Sequence, residues 1–192
     1  MVFLDKLFNP SSVAVIGASD QKGKLGYSLV KNLLAGNARK IYPVNPGHKN
    51  ILGRPCFATV KEIPGAVDLA LVAVKAQLVP QVLTECGQKK IPLAIVISAG
   101  FKESGEEGKK MEEQIKTIAQ KYKIKIVGPN CLGIINLHDR LNASFAAGVS
   151  SAGPVAFLSQ SGAIGTALLD WAETEYLGFS KFISFGNEAG LT

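Results

Sequence analysis

The sequence predicts an α/β fold, a doubly wound parallel sheet followed by the opening of a second strand-helix-strand unit. Short β-branched runs alternate along the chain with segments of helical period, which is the pattern of βαβ units. Several runs are apolar without interruption, as in Leu69-Ala-Leu-Val-Ala-Val74. Strands held between two helix layers must be apolar on both faces.

Val13 to Ile16 forms strand one, and Leu29, Val30, Leu33 and Leu34 make the stripe of a helix that ends near Gly36. Ile41 to Val44 is strand two. A loop rich in Pro, Gly and Asn leads to strand three, Leu69 to Val74, and to a helix whose buried face is Val79, Val82, Leu83 and Cys86. Leu93 to Ile97 is strand four. Met111, Ile115, Ile118, Ala119 and Tyr122 stripe the longest helix, and Ile124 to Val127 gives strand five before Gly128-Pro-Asn130 breaks it. Ile134 to Asn136 is expected to add a sixth strand. The chain divides into residues 1–140, a connector at 141–153 where periodicity is lost, and residues 154–192. In the last part, Val155 to Leu158 is a strand, Ala163 to Glu175 a helix and Lys181 to Phe185 a strand. About 40 residues do not bury a stable core alone, so this unit is expected to be the incomplete start of a larger domain.

The 21 Lys and Arg exceed the 15 Asp and Glu, giving a net charge of +6, which suits an anionic partner. The basic residues are scattered, as in Arg39-Lys40, Lys89-Lys90 and Lys109-Lys110, with no stripe interleaved with aromatics, so no nucleic acid is expected. Cys56, Cys86 and Cys131 are too few and too far apart for a disulfide framework or a zinc set, so no metal is expected and a cytoplasmic location fits. Asp5 interrupts the short apolar run at the N-terminus, which argues against a signal peptide. No segment reaches the about 18 apolar residues of a membrane helix, so no membrane is expected.

Strand one runs into Gly17-Ala-Ser-Asp-Gln-Lys-Gly-Lys-Leu-Gly26, where a helix start would offer free amides and partial positive charge to a phosphate. A dinucleotide fingerprint would need glycines at 17, 19 and 22, but Ser19 and Lys22 stand there. The acid that would hold a ribose 2′-hydroxyl after strand two is replaced by Asn45, in Tyr42-Pro-Val-Asn-Pro-Gly-His-Lys49. NAD is therefore disfavoured. His48 and Lys49 could meet a ribose phosphate such as the 3′-phosphate of coenzyme A. Val74-Lys75 and Ser98-Ala-Gly-Phe101 end strands three and four on the same edge, and make Val74, Lys75, Ser98 and Gly100 wall candidates, or Gly100 simply a turn residue. Ser159-Gln-Ser-Gly162 is a second strand-to-helix turn able to cradle an anion. Serine hydrolysis is disfavoured, since Gly-x-Ser-x-Gly is absent. Cys131 reads as a buried turn cysteine and His138 as a solvated loop histidine. No catalytic residue is assigned.

With these residues in view, the sequence resembles the α-subunit-type region of NDP-forming acyl-CoA synthetases, the group of ADP-forming acetyl-CoA synthetase and succinyl-CoA synthetase. The resemblance is carried by Leu7-Phe-Asn-Pro-Ser-Ser-Val-Ala-Val-Ile-Gly-Ala-Ser19, Tyr42-Pro-Val-Asn-Pro46, Gly128-Pro-Asn-Cys-Leu-Gly133, Phe157-Leu-Ser-Gln-Ser-Gly162 and Ser184-Phe-Gly-Asn-Glu188, in this order and spacing. It implies a Rossmann-like CoA-binding domain and then the start of a flavodoxin-like ligase domain. By position, Gly17, Ser19, Asp20 and Gln21, with Lys22 and Gly23 beside them, match the first CoA loop. Asn45, Pro46, His48 and Lys49 match the second, and Val74, Ser98 and Asn130 fall along the cofactor wall. Ser161 and Gly162, with Ser159, match the helix start that receives phosphate.

In this family acyl-CoA and phosphate give acyl phosphate and CoA, a histidine takes the phosphoryl group, and an ATP-grasp unit passes it to ADP or GDP. The resemblance thus implies CoA and acyl-CoA as ligands, an ATP-grasp β subunit or fused domain as partner, and ADP or ATP with Mg2+ on other parts of the parent. The family's phosphorylated histidine falls beyond Thr192, and neither His48 nor His138 matches it. These residues alone are therefore expected to bind CoA without turnover. A non-catalytic CoA- or NAD-responsive module, and the CoA-binding region of a fused protein acetyltransferase, are the alternatives.

Overall fold

The computed structural model describes residues 3–37, 39–148 and 151–190. A short helix, α1 (Phe3–Phe8), leads into β1 (Ser12–Ile16), then α2 (Leu25–Leu34) and β2 (Lys40–Val44). A small antiparallel ribbon follows, β3 (Asn50–Ile51) with β4 (Arg54–Pro55), before β5 (Leu69–Val72), α3 (Val79–Gln88), β6 (Leu93–Val96), α4 (Glu106–Tyr122) and β7 (Lys125–Val127). The order in the first sheet is β2-β1-β5-β6-β7, all parallel. The chain leaves β1 for β2 on one side and returns to β5 on the other, so the carboxyl ends of β1 and β5 flank the switch point where such sheets bind ligands.

Alternation along β1 builds both faces. Ala14 and Ile16 join a core with Val79, Leu83 and Cys86 of α3 and Ile115 of α4. Val13 and Val15 turn the other way, to Leu29, Val30 and Leu33 of α2. The strands predicted as one to five all form, those at Leu69, Leu93 and Lys125 shorter than expected. Ala73, Val74 and Ile97 lie beyond the last ladder pairs of β5 and β6, at the open edge. Helix α1 and the β3-β4 ribbon were not foreseen, since both are too short to show a period.

The expected sixth strand forms elsewhere. β8 (Gly133–Asn136) leaves the parallel sheet and pairs antiparallel with β9 (Leu141–Ser144), in a four-stranded sheet of order β10-β11-β8-β9. β10 is Ala152–Ser159 and β11 is Phe179–Ser184, joined by α5 (Gly162–Thr174). β8 is apolar on both faces because it serves two cores: Ile134 packs with α2 and β1, and Ile135 with Leu169, Phe179 and Phe182. The stretch 141–153, expected as a connector, therefore holds β9, whose Leu141 and Ala143 cover the α2 face of the first sheet. Val149 and Ser150, within that expected connector, lie outside the described residues, as do Met1, Val2 and the terminal Leu191 and Thr192. Among the described residues no helix is long and apolar enough to cross a membrane, and no cluster of His, Cys, Asp or Glu is arranged to hold a metal ion.

Candidate functional site

The turn from β1 into α2 sits at the switch point. Gly17 has φ +87, and a Cβ added there would stand 2.3 Å from the Ala73 carbonyl oxygen at the end of β5. A side chain would fill the space where the two strand ends part, and the left-handed conformation disfavours one anyway. Lys24, at the N-cap of α2, has extended backbone and makes no side-chain capping hydrogen bond. The Tyr27 amide is taken by the Lys24 carbonyl at 3.1 Å, which leaves the first two amides of α2, those of Leu25 and Gly26, for a ligand, with the partial positive charge of the helix end behind them. These features fit a nucleotide pyrophosphate.

Asn45, after β2, ties this loop to the next. Its Nδ2 donates to the Ala18 carbonyl (2.8 Å) and its Oδ1 accepts from the Gly47 amide (2.9 Å). Both ends of the amide are engaged, so Asn45 holds the two loops in register. His48 Nε2 lies 3.1 Å from Asp20 Oδ1, a second link between the loops, while His48 Nδ1 has no protein partner. Ser19 Oγ accepts from the Gln21 amide at 3.1 Å. Gln21, Lys22, Gly23 and Lys49 are exposed at the loop tips.

Two cavities lie along this edge. One of about 350 Å³ is lined by Gly17, Asn45, Pro46 and Val74, with Val60 and Glu85 that the sequence reading missed. The other, about 760 Å³, is lined by Val74, Ser98, Asn130, Ser161 and Gly162, and by Phe145 at the end of β9, also missed. Val74 lines both. Of the predicted residues of the first unit, Val74, Ser98 and Asn130 thus share a cavity with Ser161 and Gly162 of the second. Ser19, Asp20, Gln21, Lys22, Gly23, His48, Lys49, Lys75, Gly100 and Ser159 line neither cavity. A third cavity of about 600 Å³, between Lys116, Lys125 and residues 188–190, lies away from both loops.

The wall residues are held from behind. Ser98 Oγ donates to the Val74 carbonyl at 2.6 Å, and the Asn130 amide to the Ser98 carbonyl at 3.0 Å. At the start of α5, Ser161 Oγ accepts from the Ile164 amide at 3.3 Å as an N-cap, and Ser159 Oγ accepts from the Ser161 amide at 3.1 Å. Ser159 therefore builds the turn rather than facing the cavity. Cys131 is buried, donates to the Val96 carbonyl at 3.4 Å, and has its thiol pushed up to about 12 by burial, so it is not a ready nucleophile. His138 is exposed, as expected.

Comparison with known proteins settles the affiliation. Residues 11–136 match the family described as the CoA binding domain. The chain belongs to that family. Residues 152–192 match the succinyl-CoA ligase like flavodoxin domain, so the second unit has the flavodoxin-like character that the motifs implied. Over 188 residues, 98% of this chain, it is 50% identical to the α subunit of acetate–CoA ligase [ADP-forming] II from Pyrococcus furiosus, covering 41% of that protein. It is 49% identical to acetate–CoA ligase [ADP-forming] I from Archaeoglobus fulgidus, again over 98% of this chain but 27% of that one. The solved structure of an acetyl-coenzyme A synthetase from Ca. Korarchaeum cryptofilum, in complex with phosphate and ADP, superposes with a TM-score of 0.93 at 40% identity, covering 98% of this chain and 40% of that one. The chain therefore spans well under half the length of these relatives. It corresponds to their CoA-binding, α-subunit-type N-terminal region, as its motifs implied.

Proposed function

We propose that this CoA-binding domain serves an ADP-forming acyl-CoA synthetase, in which acyl-CoA, ADP and phosphate give the free acid, CoA and ATP through an acyl phosphate and a phosphohistidine. The observation that carries the proposal is that Val74 lines both cavities, one bounded by Gly17 and Asn45 and the other by Ser161 and Gly162 at the helix start of the second unit. A long ligand with a nucleotide at one end and a thioester at the other would lie along that path.

In this reading the loop from Gly17 to Gly23 closes around the pyrophosphate, and the Leu25 and Gly26 amides at the open start of α2 donate to it. His48 and Lys49 stand toward the ribose phosphate, with Asn45 keeping the two loops together. Val74, Ser98 and Asn130 line the pantetheine arm, while Lys75 and Gly100 support the same edge. The Ser161 hydroxyl and the Gly162 amide face an inorganic or acyl phosphate, where preorganised donors stabilise developing charge. The histidine, the ADP site with its Mg2+ and an ATP-grasp partner belong to other parts of the parent protein, so the 192 residues alone bind without turnover. Three cysteines without disulfides support a reducing, cytoplasmic setting.

Calorimetry of the chain with CoA and with NADH tests the proposal. CoA is expected to bind and NADH not. Tight NADH binding without CoA binding overturns it.

A further inference from the structure

The turn after β11 touches three segments at once. The Asn187 amide donates to the Pro129 carbonyl at 2.9 Å and the Ala189 amide to that of Gly128 at 2.8 Å, so the turn lies along the segment that carries Asn130. Gly186 permits the approach: at φ +54, a Cβ there would stand 2.3 Å from the Pro129 oxygen. Glu188 Oε1 accepts from Gln160 Nε2 at 2.7 Å, beside Ser161. The Asn187 side chain reaches the other way and donates from Nδ2 to Glu103 Oε2 (2.6 Å) and Glu112 Oε2 (2.9 Å). The second oxygen of Glu103 accepts from the amides of Gly100 (2.6 Å) and Phe101 (3.1 Å), which fixes the strand end that carries Ser98.

Two carboxylates at one amide repel each other. Asn187 serves both because its amide nitrogen carries two protons. Glu112 is 2% exposed and cannot turn to water. Lys102 donates to the Asn187 carbonyl at 2.6 Å and stands 3.9 Å from Glu112 Oε1, and Lys116, shared with Glu113, stands 3.6 Å from the same oxygen. These two lysines supply the compensating charge.

We propose that Asn187 is a positioning residue for the acyl-CoA site: by bridging Glu103 and Glu112 it sets the walls bearing Ser98 and Asn130 against the helix start at Ser161. The inference rests on the CoA reading above. Asn187→Asp turns the donor into a third acceptor facing Glu103 and Glu112, with only Lys102 and Lys116 to offset the charge.

Calorimetry with CoA on the full chain, with circular dichroism to check folding, reads the effect. At pH 7.5 the Asn187→Asp chain is expected to bind CoA about tenfold more weakly than wild type. The ratio to wild type should recover as pH falls toward about 5, because a proton shared among three carboxylates restores a hydrogen bond. The pair Glu103→Gln with Asn187→Asp should recover part of the affinity at pH 7.5, since it restores the bond between residues 103 and 187 but not the donor to Glu112. Its new amide keeps an oxygen for the Gly100 and Phe101 amides and donates from nitrogen to the new carboxylate. An Asn187→Asp chain that folds and binds CoA like wild type at every pH overturns the proposal. Should that variant not fold, Glu103→Gln alone decides. It is expected to weaken CoA about threefold and speed hydrogen exchange at Gly100 and Phe101, and unchanged values for both overturn the proposal. A wild-type chain that binds no CoA overturns the underlying reading, and this inference with it.

Discussion

The starts of α2 and α5 are two copies of one element, a strand that turns into a helix whose first amides face a cavity. They use their polar groups differently. At α2 no side chain caps the helix, and Gly17 keeps the space beside Ala73 clear. At α5 Ser161 caps the helix, and Ser159 is consumed in the turn. Their surroundings differ as well. The first sheet is covered on both faces, whereas α5 and β10 leave Ile164 (62%), Leu158 (59%) and Trp171 (53%) exposed. An open helix start needs a rigid frame to hold it in the absence of ligand, and the doubly covered sheet is that frame. The capped start is held locally, by Ser161 on the Ile164 amide and Ser159 on the Ser161 amide. This predicts that the first site is sensitive to packing and the second tolerates it.

The largest effect should come from Gly17→Val. A branched side chain at φ +87, against a carbonyl 2.3 Å from its Cβ, should abolish measurable CoA binding and cost about 3 kcal/mol of stability, read by calorimetry and urea unfolding. Wild-type binding in that variant breaks the comparison at its root. Next comes Asn45→Ala, which cuts the link to Ala18 and frees the Gly47 amide. CoA affinity should fall about tenfold, with roughly 1 to 2 kcal/mol lost in stability. Ser161→Ala sharpens the contrast. Losing the cap should cost about 1 kcal/mol, with CoA affinity within about twofold of wild type, while Ser161→Gly costs only a few tenths.

A pH series separates the frame from the sites. Burial alone would raise Asp68, but its hydrogen bond and ion pair with Lys6, the Ser11 amide and the Ser12 hydroxyl together hold it below the usual carboxylate range. A carboxyl lowered in the folded state stabilises above its unfolded value near 4, and that contribution is lost as pH falls through the folded value. Asp68→Asn should therefore be less stable than wild type at pH 6, with the gap closing below about pH 3 in urea titrations. CoA affinity at neutral pH should be little changed. The smallest effect is thiol labelling at pH 8. Burial pushes Cys86 and Cys131 up to about 12, and partial burial raises Cys56 less, so Cys56 should react first. Early labelling of Cys131 would show that the wall beside Asn130 opens.

Much of the first unit is legible in the amino-acid sequence. The strands from Val13 to Val127 read correctly because their runs are apolar on both faces at the centre of the sheet and nearly so at its edges, and local chemistry is enough to say so. The loop after β1 was legible as a departure from the dinucleotide pattern because Ser19, Lys22 and Asn45 stand where that pattern wants two glycines and an acid. Other features resisted because their reasons lie far away in sequence. β8 looked like one more strand of the first sheet, since its apolar run does not reveal that Ile134 and Ile135 face different cores. Asn45 looked like a ligand contact, and its engagement with Ala18 appears only when two loops are placed side by side. Asn187 stood out only as part of the Ser184 to Glu188 motif and Glu103 and Glu112 not at all, because a buried polar bridge between residues 103, 112 and 187 is created by packing.

The sequence by itself determined the α/β class, the order of the parallel strands along the chain and the loop that begins at Gly17, because these follow from hydrophobic period and from single-residue backbone preferences. Only the tertiary structure decided which loops meet at Val74 and how Asn187 ties the second unit to the first. It also decided that one helix start is left open while its counterpart is capped. Those outcomes depend on contacts between distant residues, whose free energies exist only once the layers have packed.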